Sequence, residues 1–81
     1  MAHATARQRE KLRSAILQHL AAHPLVADTT AGIVGNWLPA HGFEYALEHI
    51  DSVLDALVEA RVLRRHRLPD GNFLYAASVD R

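Results

Sequence analysis

Cysteine is missing altogether from the 81 residues. No disulfide framework and no thiolate metal site can therefore exist in this chain. Long apolar runs are missing too, since none approaches the ~18 residues that a membrane span needs. The opening stretch MAHATARQREKLR has no apolar segment after its charges, so no secretory signal is expected. The familiar catalytic signatures are absent: no G-x-S-x-G, Walker A, H-E-x-x-H or G-x-G-x-x-G pattern occurs. Ser14, Ser52 and Ser78 have no surroundings that suggest a nucleophile. The expectation is a non-enzymatic protein with no cofactor and no small-molecule substrate. Net charge is also lacking, because nine basic residues stand against nine acidic ones. What is present is apolar: hydrophobic residues make up 49 %, too many for a disordered tail. The length suits one domain over residues 1–81, with an ordered core of about 6–78. A soluble protein of a reducing compartment, the cytoplasm, is the class that remains.

The zero charge conceals segregation. Residues 7–13 hold Arg7, Arg9, Lys11 and Arg13 against the single acid Glu10. Residues 44–59 hold Glu44, Glu48, Asp51, Asp55 and Glu59 with no Lys or Arg. Residues 61–67 hold Arg61, Arg64, Arg65 and Arg67 with no acid. The chain is basic, acidic and basic in blocks.

Hydrophobic spacing predicts three helices and a hairpin. Thr5 and Gln8 have the spacing of a capping box. Leu12, Ile16 and Leu20 follow at helical intervals, and His23-Pro24 ends the run, giving a first helix over about 6–22. Arg7 and Arg9 then fall in its first turn, where the helix dipole disfavours cations. That placement hints at contact with something anionic. Asp28, Thr29 and Thr30 are three candidate N-caps. Ile33, Val34, Trp37 and Leu38 extend a second helix over about 30–39, with Trp37 as anchor and Gly42 suited to the turn beyond it. Leu47, Ile50, Leu54, Leu57 and Val58 form the stripe of a third helix over about 45–60. Strands over about 62–68 and 72–78 flank Pro69-Asp70-Gly71, where Pro presets φ and Gly supplies a positive one.

Three helices followed by a hairpin is the order of a winged helix-turn-helix. The stretch LDALVEARVLRRHRLPDGNFLYAA, residues 54–77, resembles the ending of ArsR-like and MarR-like bacterial regulators. It has their helix, leucine pair, short bend, hydrophobic pair, basic strand, Asp-Gly turn and aromatic strand. RSAILQHLAAHP, residues 13–24, is similar to their first helix and its exit. The pattern, over roughly residues 7–78, is also similar to small winged-helix proteins of Mu-like phages. The fold this implies is mainly α with a small β-hairpin: three helices followed by a two-stranded wing. The function it implies is DNA binding in transcription regulation. Two departures stand out. Such regulators usually carry Gly at the bend where this chain has Arg61, and a left-handed Arg would be strained, so a different bend is expected. Their DNA-reading helix usually opens with Ser, Thr, Gln, Arg or Lys, whereas this one shows Leu47, Glu48, His49, Asp51 and Ser52.

Four site hypotheses follow. In the first, double-stranded DNA is the partner. Arg64, Arg65, His66 and Arg67 of the wing hold phosphates, helped by Arg7 and Arg9. Ser52 and His49 are then the only non-acidic polar residues placed to read bases. In the second, Glu48, Asp51 and Asp55 face a basic protein or a second copy of the chain, with Tyr45 as a solvent-facing contact. The third is metal: His19 and His23 share a helix face at i, i+4, but two imidazoles make an incomplete site, so no metal is expected. The fourth is a stacking platform of Trp37, Phe43, Phe73 and Tyr75. These aromatics fall on apolar stripes, so packing is the expected role.

Overall fold

The computed structural model describes residues 2–38 and 47–78. Its elements run α1 (Ala2–Ala22), β1 (Ala27–Thr29), α2 (Thr30–Gly32), a π-helical turn (Ile33–Trp37), a 3-10 turn (Leu47–His49), α3 (Ile50–Glu59), β2 (Leu63–Arg67) and β3 (Phe73–Ala77). Among the described residues the fold is α+β, with three helices and a three-stranded antiparallel sheet in the order β1-β3-β2.

The first helix ends where expected. Ala22 is its last residue, and the His23 N–H donates to the His19 carbonyl at 2.9 Å before Pro24 turns the chain away. Its start differs from the expected capping box, because the helix already runs from Ala2 and Thr5 lies inside it. Ala2, Ala4 and Ala6 are strong helix formers and carry the helix back through Thr5. Arg7 and Arg9 therefore lie beyond the first turn, and the dipole argument for their placement lapses.

The second helix is shorter than the expected 30–39. Thr29 is its N-cap, accepting from the Gly32 N–H at 3.2 Å. Gly32 and Gly35 weaken the α-helix, and the chain widens into a π turn that ends at Trp37. Leu38 is already extended at φ −102° and ψ 145°, as the residue before a proline should be. Gly42, Phe43, Glu44 and Tyr45 lie outside the described residues, as does any start of the third helix before Leu47.

The sheet has one strand more than the two expected. β1 pairs with the free edge of β3, with Ala27 opposite Ala76 and Thr29 opposite Leu74. Of the three residues Ala-Asp-Thr only Thr29 favours a strand, and three positions are too few to show alternation, so the pairing makes them one.

The bend after α3 is left-handed despite the absence of glycine. Arg61 has φ 64°. Its N–H donates to Val58 and that of Val62 donates to Leu57, both at 3.0 Å. These are the two bonds of a Schellman motif. Val62 also packs on the cluster that contains Leu57. Two hydrogen bonds and one apolar contact thus outweigh a left-handed penalty of roughly 1–2 kcal/mol. The hairpin turn forms as its residues require: the Gly71 N–H donates to Leu68 at 2.9 Å, Gly71 takes φ 92°, and Asp70 accepts from the Asn72 N–H.

One core unites the layers. Leu12, Ile16 and Leu20 meet Ile33, Trp37, Ile50, Val53, Leu54 and Leu57, and the sheet contributes Leu63 and Tyr75. α3 packs against α1 on one side and β2 on the other. The helix with the acidic block therefore lies between the two basic segments.

Candidate nucleic-acid and partner interface

The pleat divides the wing cations. Side chains alternate along β2, and Leu63 is buried, so Arg65 and Arg67 share its inner face while Arg64 and His66 point outward. The register agrees, since Arg65 lies opposite Tyr75 and Arg67 opposite Phe73. The four wing cations expected to act together are therefore split between two faces of the sheet.

Arg65 is committed to its own fold. Its Nη1 donates to Asp55 Oδ1 at 2.7 Å, and its guanidinium carbon stands 4.7 Å from the centre of the Phe73 ring. A side-chain hydrogen bond with Tyr75, then the one with Asp55, raises its pKa above the ordinary arginine value. Arg65 thus binds the acidic helix instead of standing free for phosphate. Arg64, His66 and Arg67 are exposed and have no ion pair among the described residues.

On α3 the carboxylates form a row. Asp51, Asp55 and Glu59 follow one another at four-residue steps, which stacks them on one face; Glu48 precedes them on the 3-10 turn, and all four are exposed. Asp51 and Asp55 reach an open cleft of about 500 Å³ between α3 and the wing, bounded across from them by Arg65, Asn72 and Phe73. The two residues expected to read bases are otherwise engaged. The Ser52 hydroxyl donates to the His49 carbonyl at 3.1 Å. His49 is 21 % exposed, with Nε2 3.8 Å from the Glu48 carboxylate. Ser52 also faces away from the wing, into a shallow groove with Arg9 and Arg13 of α1.

Arg7 and Arg9 diverge around α1. Arg9 borders the groove with α3, whereas Arg7 borders a hollow with Lys11 and Trp37. Arg13 is held by Glu10 at 3.6 Å. The basic surface is therefore not one stripe: the acidic row separates the α1 arginines from the wing. Tyr45, the remaining expected contact, lies outside the described residues.

His19, in the last turn of α1, stacks on Trp37, and His23 just beyond the helix tilts against His19. His19 lies 4.9 Å from the Trp37 ring at 15°, and His23 lies 4.7 Å from His19. Among the described residues no three His, Asp or Glu side chains gather as metal ligands. Trp37 is buried in the core, Tyr75 likewise, and Phe73 packs at its edge, which leaves no aromatic platform on the wing. Phe43 lies outside the described residues. No described helix is long and apolar enough to cross a membrane.

Sequence reasoning missed the cluster of Asp55, Arg65, Phe73 and Tyr75. Its signal was strand alternation: the arginine two residues after a buried Leu63 shares that residue's face. Comparison with family models, curated proteins and solved structures finds no match to this chain.

Proposed function

We propose that this chain is a winged-helix binding module that holds DNA by its phosphates at the wing, in the service of transcription regulation. The order helix, strand, helix, helix and hairpin, with β3 between β1 and β2, supports the winged-helix reading. The observation that carries the DNA reading is the wing itself. Arg64, His66 and Arg67 are exposed on a protruding hairpin and have no ion pair among the described residues. Such groups release counterions when they meet phosphates. The carboxylate row argues for a docking mode that keeps α3 out of the major groove, since one Asp or Glu can accept from cytosine but four would repel the backbone.

Titration against mixed-sequence duplex DNA tests this. Binding should appear at low salt and weaken steeply as salt rises. Replacing Arg64 and Arg67 together by Ala should lower the slope of log K against log salt by about 2, roughly one for each phosphate that is no longer neutralised. Absence of binding even at low salt would sink the proposal.

The carboxylate row favours a second reading, in which α3 docks a basic protein partner. The two readings predict opposite effects of one variant. Neutralising Glu48 and Asp51 to Gln and Asn should tighten DNA binding by removing repulsion, and should weaken a basic partner.

A further inference from the structure

The sheet has two edges, and its hydrogen bonds show that they differ. The Ser78 N–H donates to the Val62 carbonyl at 2.9 Å, and the Leu68 N–H donates to the Asn72 carbonyl at 2.7 Å. Antiparallel strands exchange bonds at every second residue. Between those two pairs the bonded partners are therefore Arg64 with Ala76 and His66 with Leu74. Arg65 and Arg67 turn their backbone N–H and C=O groups the other way, along the free edge of β2. No hydrogen bond to these backbone groups occurs among the described residues. Every residue from Arg64 to Arg67 is exposed.

The opposite edge is closed. By the same alternation Asp28 is the residue of β1 that bonds Tyr75. Thr29 then faces outward, and its N–H donates to the Asp28 carboxylate at 3.1 Å. β1 is also only three residues long, whereas β2 has five. Among the described residues the open edge is thus the one that carries arginines. Charges on an edge strand guard it against pairing with copies of itself. Two β2 strands side by side would bring Arg64, Arg65 and Arg67 of one copy against those of the other, and like charges opposite each other are destabilising. Asp55 answers Arg65 within the chain, while Arg64 and Arg67 have no ion pair among the described residues. A strand laid on this edge must supply the charge that those two lack.

We propose that the free edge of β2 binds an extended acidic segment of another protein, which joins the sheet as a further strand. Backbone bonds to Arg65 and Arg67 supply affinity, and the side chains of Arg64 and Arg67 supply selectivity. The pleat fixes the pattern of that segment. Residues opposite each other in neighbouring strands share a face, and Arg64 and Arg67 lie three apart on opposite faces of the sheet. The segment therefore carries two carboxylates at i and i+3, one on each face. This inference goes beyond the DNA reading and stands without it. Where both hold, the strand and the phosphates compete for Arg64 and Arg67.

Amide hydrogen exchange on the full chain, read by NMR, tests the proposal with the peptide TVETTEVT as probe. In the free protein the amides of Arg64 and His66 should be protected, and those of Arg65 and Arg67 should exchange freely. Saturating peptide should slow exchange at Arg65 and Arg67 by at least about tenfold and leave Arg64 and His66 as they were. The peptide TVKTTKVT should give no protection, and neither should TVETTEVT with every backbone nitrogen methylated. The double variant Arg64→Ala, Arg67→Ala should bind TVETTEVT several-fold more weakly with an unchanged circular dichroism spectrum. Arg65 and Arg67 amides that stay unprotected at millimolar TVETTEVT overturn the proposal. Equal protection by the lysine peptide also overturns it, since the edge would then select no charge. Protection that grows with protein concentration in the absence of peptide would make a second copy the occupant, and overturns it as well.

Discussion

Arg61 is the residue at which local preference and tertiary demand disagree most openly. Its left-handed backbone is set by the two hydrogen bonds that close α3. Arg61→Gly should therefore stabilise the protein. Relief of roughly 1–2 kcal/mol of strain is partly offset by the greater freedom of glycine in the unfolded chain, about 0.4–1 kcal/mol. A net gain of about 0.5–1 kcal/mol should appear as a higher urea midpoint with an unchanged slope. Gly71 is the converse case. At φ 92° with open space around its Cα, Gly71→Ala should cost about 1 kcal/mol from backbone strain alone. The turn at Gly71 was legible because Pro-Asp-Gly names its geometry directly. The bend at Arg61 was not, since the residue opposes the conformation and the hydrogen bonds that impose it come from the helix behind.

At the scale of elements, legibility followed periodicity. The buried faces of α1 and α3 were readable from Leu12, Ile16, Leu20, Ile50, Leu54 and Leu57, because burial on one side of a helix leaves a repeat in the sequence. β1 left no repeat, being three residues long and defined by a partner some fifty positions away. The candidate site shows the same division. The segregation of charge was visible in the sequence, but the pleat that turns Arg65 inward and Arg64 outward was not used to sort them. Two element-scale outcomes follow. Leu54, fully buried in α3, should cost about 2–5 kcal/mol on truncation to Ala, measurable by chemical denaturation. Arg65→Ala and Asp55→Asn should be non-additive in a double-mutant cycle, because both act through one 2.7 Å contact. Arg64→Ala should be additive with Asp55→Asn.

For the whole molecule the governing fact is the placement of α3 between α1 and β2. It converts three blocks of sequence charge into a surface that changes sign twice. A molecule of this kind should respond strongly to ionic strength in whatever it binds and only weakly in its folding, since its core contains no buried charge among the described residues. Thermal unfolding should accordingly shift by only a few degrees across a salt range that abolishes DNA binding. A large salt dependence of the midpoint would mean that the surface ion pairs carry more of the stability than exposed pairs ordinarily do.

The central position of β3 also has a temporal side. It is the last strand in chain order, yet both other strands hydrogen-bond to it and not to each other. During synthesis β1 and β2 must therefore wait for a partner that leaves the ribosome after both of them. The helices can form as they emerge, but the sheet can assemble only when Phe73–Ala77 is free. A chain truncated after Asn72 should remain sensitive to protease, and the full chain released from the ribosome should be resistant.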